Sequence, residues 1–348
     1  MTPKKTRYAH YAVQIAAMAL LGACWLQPVS TAQTTDVAAA EAAAHDQWRA
    51  AMAQKPDSAE GCFEASYPSL EWEQVACTEA QPRVHPVFHR PENVGEQVTG
   101  NGHDYVAQAA GLISGTLGTF AKVTGVKTEK SVGVPLFGGG GILGPNEYSL
   151  QINTNFTGTT SACAGHSGCT VWQQFIYATD YPVTGKAAVF MQYWLIGWGS
   201  SACPSGFGSD GGGDCYKNSS LATAPNMKIT SLGGLTLSGA AVAGGKDTVV
   251  FNNGSKAYSI TGADKVLDIS QVWKQSEFNI VGDAGGSRAV FNKKSSITVK
   301  VALTDGSSSA PTCVANAGST GETNNLNLSK SCSTAGGTSP SIQFTESD

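Results

Sequence analysis

From about Gly100 onward the chain alternates hydrophobic and polar residues in short runs, separated by clusters of Gly, Ser, Asn and Asp. Alternation at period two is what a half-buried strand requires, and the intervening clusters are turn formers. The pattern predicts strands over Tyr105–Ser114, Phe120–Thr128, Glu147–Phe156, Thr170–Ala178, Ala187–Gly197 and Lys228–Leu232. Further strands are predicted over Leu235–Ala241, Asp247–Asn252, Lys256–Thr261, Glu277–Val281, Ala289–Asn292, Ser296–Leu303 and Ser341–Thr345. One helical turn interrupts them, from Asp268 to about Lys274, with Asp268 as N-cap and Gln271 three residues on, the spacing of a capping box. So many short strands at such spacing predict an all-β fold, a two-sheet antiparallel sandwich.

Before Gly100 the pattern changes. Asp36–Gln54 is Ala-rich, carries Glu41, Asp46 and Arg49, and is the strongest helix signal in the chain. Lys55–Pro91 is rich in Pro and charge and carries Tyr67, Leu70 and Trp72. Residues 33–92 therefore read as a helical and irregular extension, a propeptide-like or clasp segment, ahead of a sandwich domain over 93–348. A plain linker would not usually carry a pair of cysteines and several aromatics.

The two faces of individual strands locate a candidate site. In Ala187–Gly197, Val189, Met191, Tyr193 and Leu195 make one face, which belongs in the core. The other carries Phe190, Gln192, Trp194 and Ile196, with Trp198 just beyond. A Gln among aromatics is not what a water-facing surface needs, so this face is either covered or lines a groove. The strand at Tyr148 repeats the division, with Tyr148, Leu150 and Ile152 opposed by Gln151, Asn153 and Asn155. In Trp172-Gln173-Gln174-Phe175 the alternation places one Gln on each face.

Cysteine usage sets the compartment. Of nine cysteines, Cys24 lies in an N-terminal apolar stretch, and the other eight form four local couples: Cys62/Cys77, Cys163/Cys169, Cys203/Cys215 and Cys313/Cys332. An even count beyond a leader reads as a disulfide framework, with nearest-neighbour pairing the simplest choice. Zinc is excluded by spacing, since no C-x-x-C pair exists and the six His are scattered. Lys4, Lys5 and Arg7 precede an apolar run from Ala12 to Leu26, and Ser30-Thr31-Ala32 has the shape of a cleavage site, so residues 1–32 read as a signal peptide. Leu21-Gly22-Ala23-Cys24 offers the competing reading of an acylated Cys24. The expectation is a secreted protein without a stable membrane span. Lys and Arg total 22 against 26 Asp and Glu. All three of the basic residues named lie in the leader, so the remainder is more acidic still, which argues against nucleic acid and anionic lipid as partners. Oligomeric state is not legible.

The run Cys169-Thr-Val-Trp-Gln-Gln-Phe, then Ala188-Val-Phe-Met-Gln-Tyr-Trp-Leu, then Ser276-Glu-Phe-Asn-Ile-Val-Gly-Asp resembles the order of motifs in the glutamic peptidases (eqolisins). That resemblance implies a concanavalin-like sandwich, a propeptide and a secreted acid peptidase whose dyad is a Gln and a Glu. By motif, Gln173 or Gln174 takes the Gln role, with Trp172, Gln192, Tyr193 and Trp194 around a groove. The family's Glu falls a few residues after its A-E-[FW] segment, where this chain has Val281 and Gly282. Glu277 or Asp283 then supplies the carboxylate. The neprosin-type prolyl peptidases are a more distant resemblance, and their twin Glu residues have no clear counterpart here.

A carboxylate beside an amide can activate water as a general base while the amide steadies the oxyanion. The catalytic candidates are thus Gln173, Gln174, Glu277 and Asp283, and the substrate-binding candidates are Trp172, Phe190, Gln192, Trp194 and Trp198. Gly165-His166-Ser167-Gly168 lacks the fifth Gly of a nucleophile elbow, and Gly138–Gly141 is followed by no Lys-[Ser/Thr]. Asp210 and Asp214 could offer carboxylates to calcium, but a hydrated loop explains them as well. No cofactor is implied. The reading is a secreted acid peptidase acting on protein. A non-catalytic sandwich that binds polysaccharide or a cell surface through its aromatic face stands beside it.

Overall fold

The structure is a computed structural model and describes residues 31–53, 59–79, 104–133, 142–155, 157–181, 183–283, 287–315 and 323–348. Residues 1–30 of the proposed leader, Cys24 among them, fall outside the described residues, while Thr31 and Ala32 stand at the start of a helix. Two compact units are distinguished, Met1–Glu41 and Ala42–Asp348. Helix α1 (Thr31–Met52) begins in the first and ends in the second.

Strands follow in chain order. The first eight are β1 (Gly61–Ser66), β2 (Glu73–Val75), β3 (Tyr105–Gln108), β4 (Gly115–Thr124), β5 (Glu129–Gly133), β6 (Gly144–Pro145), β7 (Tyr148–Thr154) and β8 (Thr170–Ala178). Then come β9 (Lys186–Ile196), β10 (Gly208–Ser209), β11 (Cys215–Asn218), β12 (Ala222–Pro225), β13 (Thr236–Ala241), β14 (Lys246–Asn252) and β15 (Lys256–Ala263). The last are β16 (Gln275–Gly282), β17 (Ser287–Phe291), β18 (Ser296–Thr304), β19 (Thr312–Ala315), β20 (Thr323–Asn324), β21 (Asn327–Ala335) and β22 (Ser341–Ser347).

These strands make the expected all-β sandwich. Sheet I runs β2-β1-β15-β14-β13-β4-β18-β22-β21. Sheet II runs β10-β11-β9-β8-β7-β16-β3-β19, with β12 also paired to β9. A smaller sheet III has the order β20-β17-β5-β6. Side chains at alternate positions from both large sheets meet in one core. Leu237, Phe251, Val299 and Phe344 of sheet I lie against Ile152, Phe175, Tyr193 and Phe278 of sheet II. Two glycines make room for the rings. A Cβ on Gly118 would collide with Phe278, and one on Gly239 with Phe175.

The four cysteine couples are bonded as nearest neighbours: Cys62–Cys77, Cys163–Cys169, Cys203–Cys215 and Cys313–Cys332. The last joins β19 to β21, the outer strands of sheets II and I, and so closes one flank of the sandwich. No helix among the described residues is long and apolar enough to cross a membrane.

Two local expectations are corrected. Lys228–Leu232 is not a strand. Ile229–Gly234 is a 3₁₀ turn that buries Ile229 and Leu232, whose three-residue spacing puts them on one face of such a turn but on opposite faces of a strand. Asp268 precedes a 3₁₀ turn, Ile269–Gln271, but does not cap it with its side chain. Its backbone is left-handed (φ 53°), and its carboxylate instead accepts a 2.5 Å hydrogen bond from the Ser161 hydroxyl.

Part of the expected clasp segment belongs to sheet I. Strands β1 and β2 extend that sheet beyond β15. Trp48 and Met52 of α1 pack with Ala65, Val250 and Ala257 on its outer face. Residues 80–92 of the segment fall outside the described residues.

Candidate functional site

The register of sheet II brings five polar side chains into one row. Glu277 of β16 stands opposite Asn153 of β7, and Asn153 opposite Gln174 of β8. Gln174 in turn stands opposite Gln192 of β9, and Gln192 opposite Asn218 of β11. Neighbouring strands are about 4.8 Å apart, so the row crosses roughly 19 Å of sheet at right angles to the strands. It lies on the outer face, away from sheet I. The odd-numbered residues of β8 and β9 (Val171, Gln173, Phe175; Val189, Met191, Tyr193) face the core, and the even-numbered ones face out.

Hydrogen bonds lock the row. The Asn153 amide donates to the Glu277 carboxylate. The indole N–H of Trp194 is shared between the Gln174 and Gln192 side-chain oxygens, at 3.0 and 2.9 Å. With those oxygens fixed, the amide nitrogens must point the other way. Gln174 donates to Gln151 at 3.0 Å, and Gln192 to Asn218 at 2.8 Å. Each amide orientation is therefore set by a donor that has only one role, since an indole N–H cannot accept.

Aromatic rings flank the row. Trp172 and Trp194 are adjacent across β8 and β9 and stack with centroids 5.7 Å apart. Phe190 stacks on Tyr181 at 4.9 Å, and Trp198 on His166 at 3.3 Å. Each of the aromatic candidates thus already has one ring face against another ring. Glu277, Asn153, Gln174 and Gln192 are all buried, between 1% and 4% exposed.

Gln173, one residue from Gln174, is on the opposite side of the sheet. It faces sheet I across the core and donates to the Asp247 carboxyl at 2.9 Å. Asp247 is hydrogen-bonded to Asp264. Asp264 in turn accepts from the Ser270 hydroxyl at 2.8 Å and from the Ser270 and Gly244 backbone N–H groups. Burial, followed by the neighbouring Asp264 charge, pushes the Asp247 carboxyl well above the usual carboxylate range.

Asp283 is not brought to the row either. It lies at the end of β16, 1% exposed, within electrostatic reach of Glu129. Sequence reasoning noted Asn153 as part of a polar face but did not select it. Only the pairing of β7 with β16 shows that it is the amide beside Glu277. In the loop between β10 and β11, Asp210 accepts from the Gly212 and Asp214 backbone N–H groups, and Asp214 from that of Gly197. These two carboxylates hold turns.

No family model matches the chain, and no curated protein matches it. Among solved structures it is similar to SCP-B, a member of the eqolisin family of peptidases, in a complex with the tripeptide Ala-Ile-His. The identity is 10%, over 72% of this chain and 98% of that one, with a TM-score of 0.27. A likeness of that size carries no argument about chemistry.

Proposed function

We propose that the protein is a secreted acid peptidase of the glutamic type, in which the Glu277 carboxylate activates water for attack on a peptide carbonyl. The observation that carries the reading is the Glu277–Asn153 contact at one end of a row that continues through Gln174 and Gln192. In the proposed reaction Glu277 takes a proton from the attacking water. The neighbouring amide N–H groups face the oxygen that becomes negatively charged, and the protonated Glu277 returns the proton to the departing nitrogen. General-base help of this kind is worth about 10² to 10⁴-fold.

A row of alternating donors and acceptors across the strands also suits the amides of an extended polypeptide, which repeat such groups along their length. The row is buried as it stands, so a substrate reaches Glu277 only once the outer face is uncovered. Purified protein incubated with denatured casein from pH 2 to pH 8, with fragments identified by mass spectrometry, should yield internal cleavages on the acid side. Casein left intact across that range, before and after acid pre-incubation, overturns the reading.

A further inference from the structure

Strand β16, which carries Glu277, pairs with β3 only through Gln275 and Ser276. From Glu277 to Gly282 its other edge is met by sheet III instead. Asn324 of β20 donates to the Ile280 carbonyl at 3.1 Å, and the Ser287 hydroxyl at the start of β17 donates to the Asp283 carbonyl at 2.8 Å. A Cβ on Gly282 would strike the Ser287 backbone, so the two strands approach as closely as a glycine allows.

Two buried carboxyls sit in this seam. Glu346 of β22 is fully buried and accepts from Asn279 of β16 at 2.8 Å and from Asn324 of β20 at 3.0 Å. The charged group facing it is Asp104, ahead of β3. Glu129 of β5 is 2% exposed, and neither carboxyl oxygen has a hydrogen-bond partner among the described residues. The groups facing it are Glu147, Asp283 and the Tyr148 phenol. Among the described residues, no Lys, Arg or His is one of the groups acting on either. Ion pairs among the described residues, such as Lys246–Glu60 and Lys256–Glu64, lie at the surface. A carboxylate removed from water with no cation, and with a second acid facing it, is far costlier to bury than a neutral carboxylic acid.

We propose that the seam between sheet III and β16 is a proton-dependent closure, shut while Glu129 and Glu346 are neutral and opened in alkaline solution by their ionisation, which frees the edge of the strand that holds Glu277. Burial, then the neighbouring acids, pushes Glu346 up to about 8 and Glu129 up to about 9. As regulation of the Glu277 site the proposal rests on the peptidase reading, but the opening itself does not.

Hydrogen exchange read by mass spectrometry at pH 5.5 and pH 9.5 tests it, with each rate divided by the intrinsic rate at that pH. Protection in β16, β17 and β20 should fall at the higher pH at least tenfold more than protection in β4 and β13, which carry no acidic residue. The double substitution Glu129→Gln, Glu346→Gln should retain seam protection at pH 9.5. Unchanged seam protection in the wild type overturns the proposal, and so does an equal fall in the double variant. Should the double variant fail to fold, Glu346→Gln alone must remove part of the loss, and no effect overturns the proposal. Because exchange is read rather than turnover, an inactive protein whose seam opens removes only the peptidase reading. An active protein whose seam stays shut removes only this one.

Discussion

Two acid–amide pairs face opposite sides of sheet II, and consecutive residues lead into them. Gln174 belongs to the outer row with Asn153 and Glu277, and Gln173 points inward to Asp247 and Asp264. The residue types are the same, but their surroundings differ. The inner pair crosses from one sheet to the other inside the apolar core, where its hydrogen bond ties the sandwich together and no substrate can enter. The outer row lies on the face of one sheet, where removing whatever covers it would leave the sheet intact. An acid beside an amide is thus not a site in itself. The side of the strand decides whether it is locked between the sheets or lies on the outer face, where the chemistry is proposed.

The inner pair is the easier to break. Asp247→Ala removes the partner of both Gln173 and Asp264 and leaves polar groups stranded in the core. It should destabilise the fold by about 3 kcal/mol, lowering Tm by roughly 6–12 °C for a domain of this size, as read by calorimetry. The parallel change outside, Asn153→Ala, takes one donor from the buried Glu277 carboxyl and should cost about 1–3 kcal/mol. It should nonetheless reduce casein cleavage more than any shift in Tm explains.

Acidity separates the regions further. Asp247, Glu129 and Glu346 are all raised in the fold, so the native state holds more protons than the unfolded chain. The stability from their protonated forms is fully present below the unfolded values near 4 and declines as pH rises through the folded ones. Tm should therefore be highest near pH 4 and fall towards pH 9, where Glu346 and Glu129 have been carried through about 8 and about 9. Asp247→Asn should flatten part of that slope, as followed by thermal scans across the range. A Tm that climbs from pH 5 to pH 9 contradicts the protonation of these sites.

How much of this was legible in the sequence depended on periodicity. Thr170–Ala178 and Ala187–Gly197 were readable as strands because both faces carry large side chains in strict alternation, and the structure differs by a residue or less at each end. Edge strands were harder. Strand β21, Asn327–Ala335, is polar along most of its length and largely exposed, so no hydrophobic alternation marks it. Strands β1 and β2 were hidden in a segment whose Pro and charge content reads as irregular. At the site, alternation established that Gln173 and Gln174 face opposite ways, but not which of them lies beside a carboxylate. That depends on the register of β16 against β7, set by pairings distant in sequence. Asp247, Glu129 and Glu346 gave no signal, because an acid in a strand reads as exposed until its neighbours are known.

The smallest expected effect is at Trp194. Trp194→Phe keeps the ring on Trp172 but deletes the N–H that orients both glutamines. It should cost about 1–2 kcal/mol and lower kcat by up to about tenfold with little change in KM. An unaltered kcat would mean that amide orientation in the row is irrelevant to turnover.

The central claim is that the outer pair does the chemistry and the inner pair does not. Its most direct test is casein cleavage at pH 4 by Glu277→Gln and Gln173→Leu, compared with wild type at a temperature where all three are folded. The account predicts that Glu277→Gln has a wild-type Tm and no detectable turnover. Gln173→Leu should have a lower Tm and wild-type turnover per folded molecule. Retained turnover in Glu277→Gln, or its loss in folded Gln173→Leu, would contradict it.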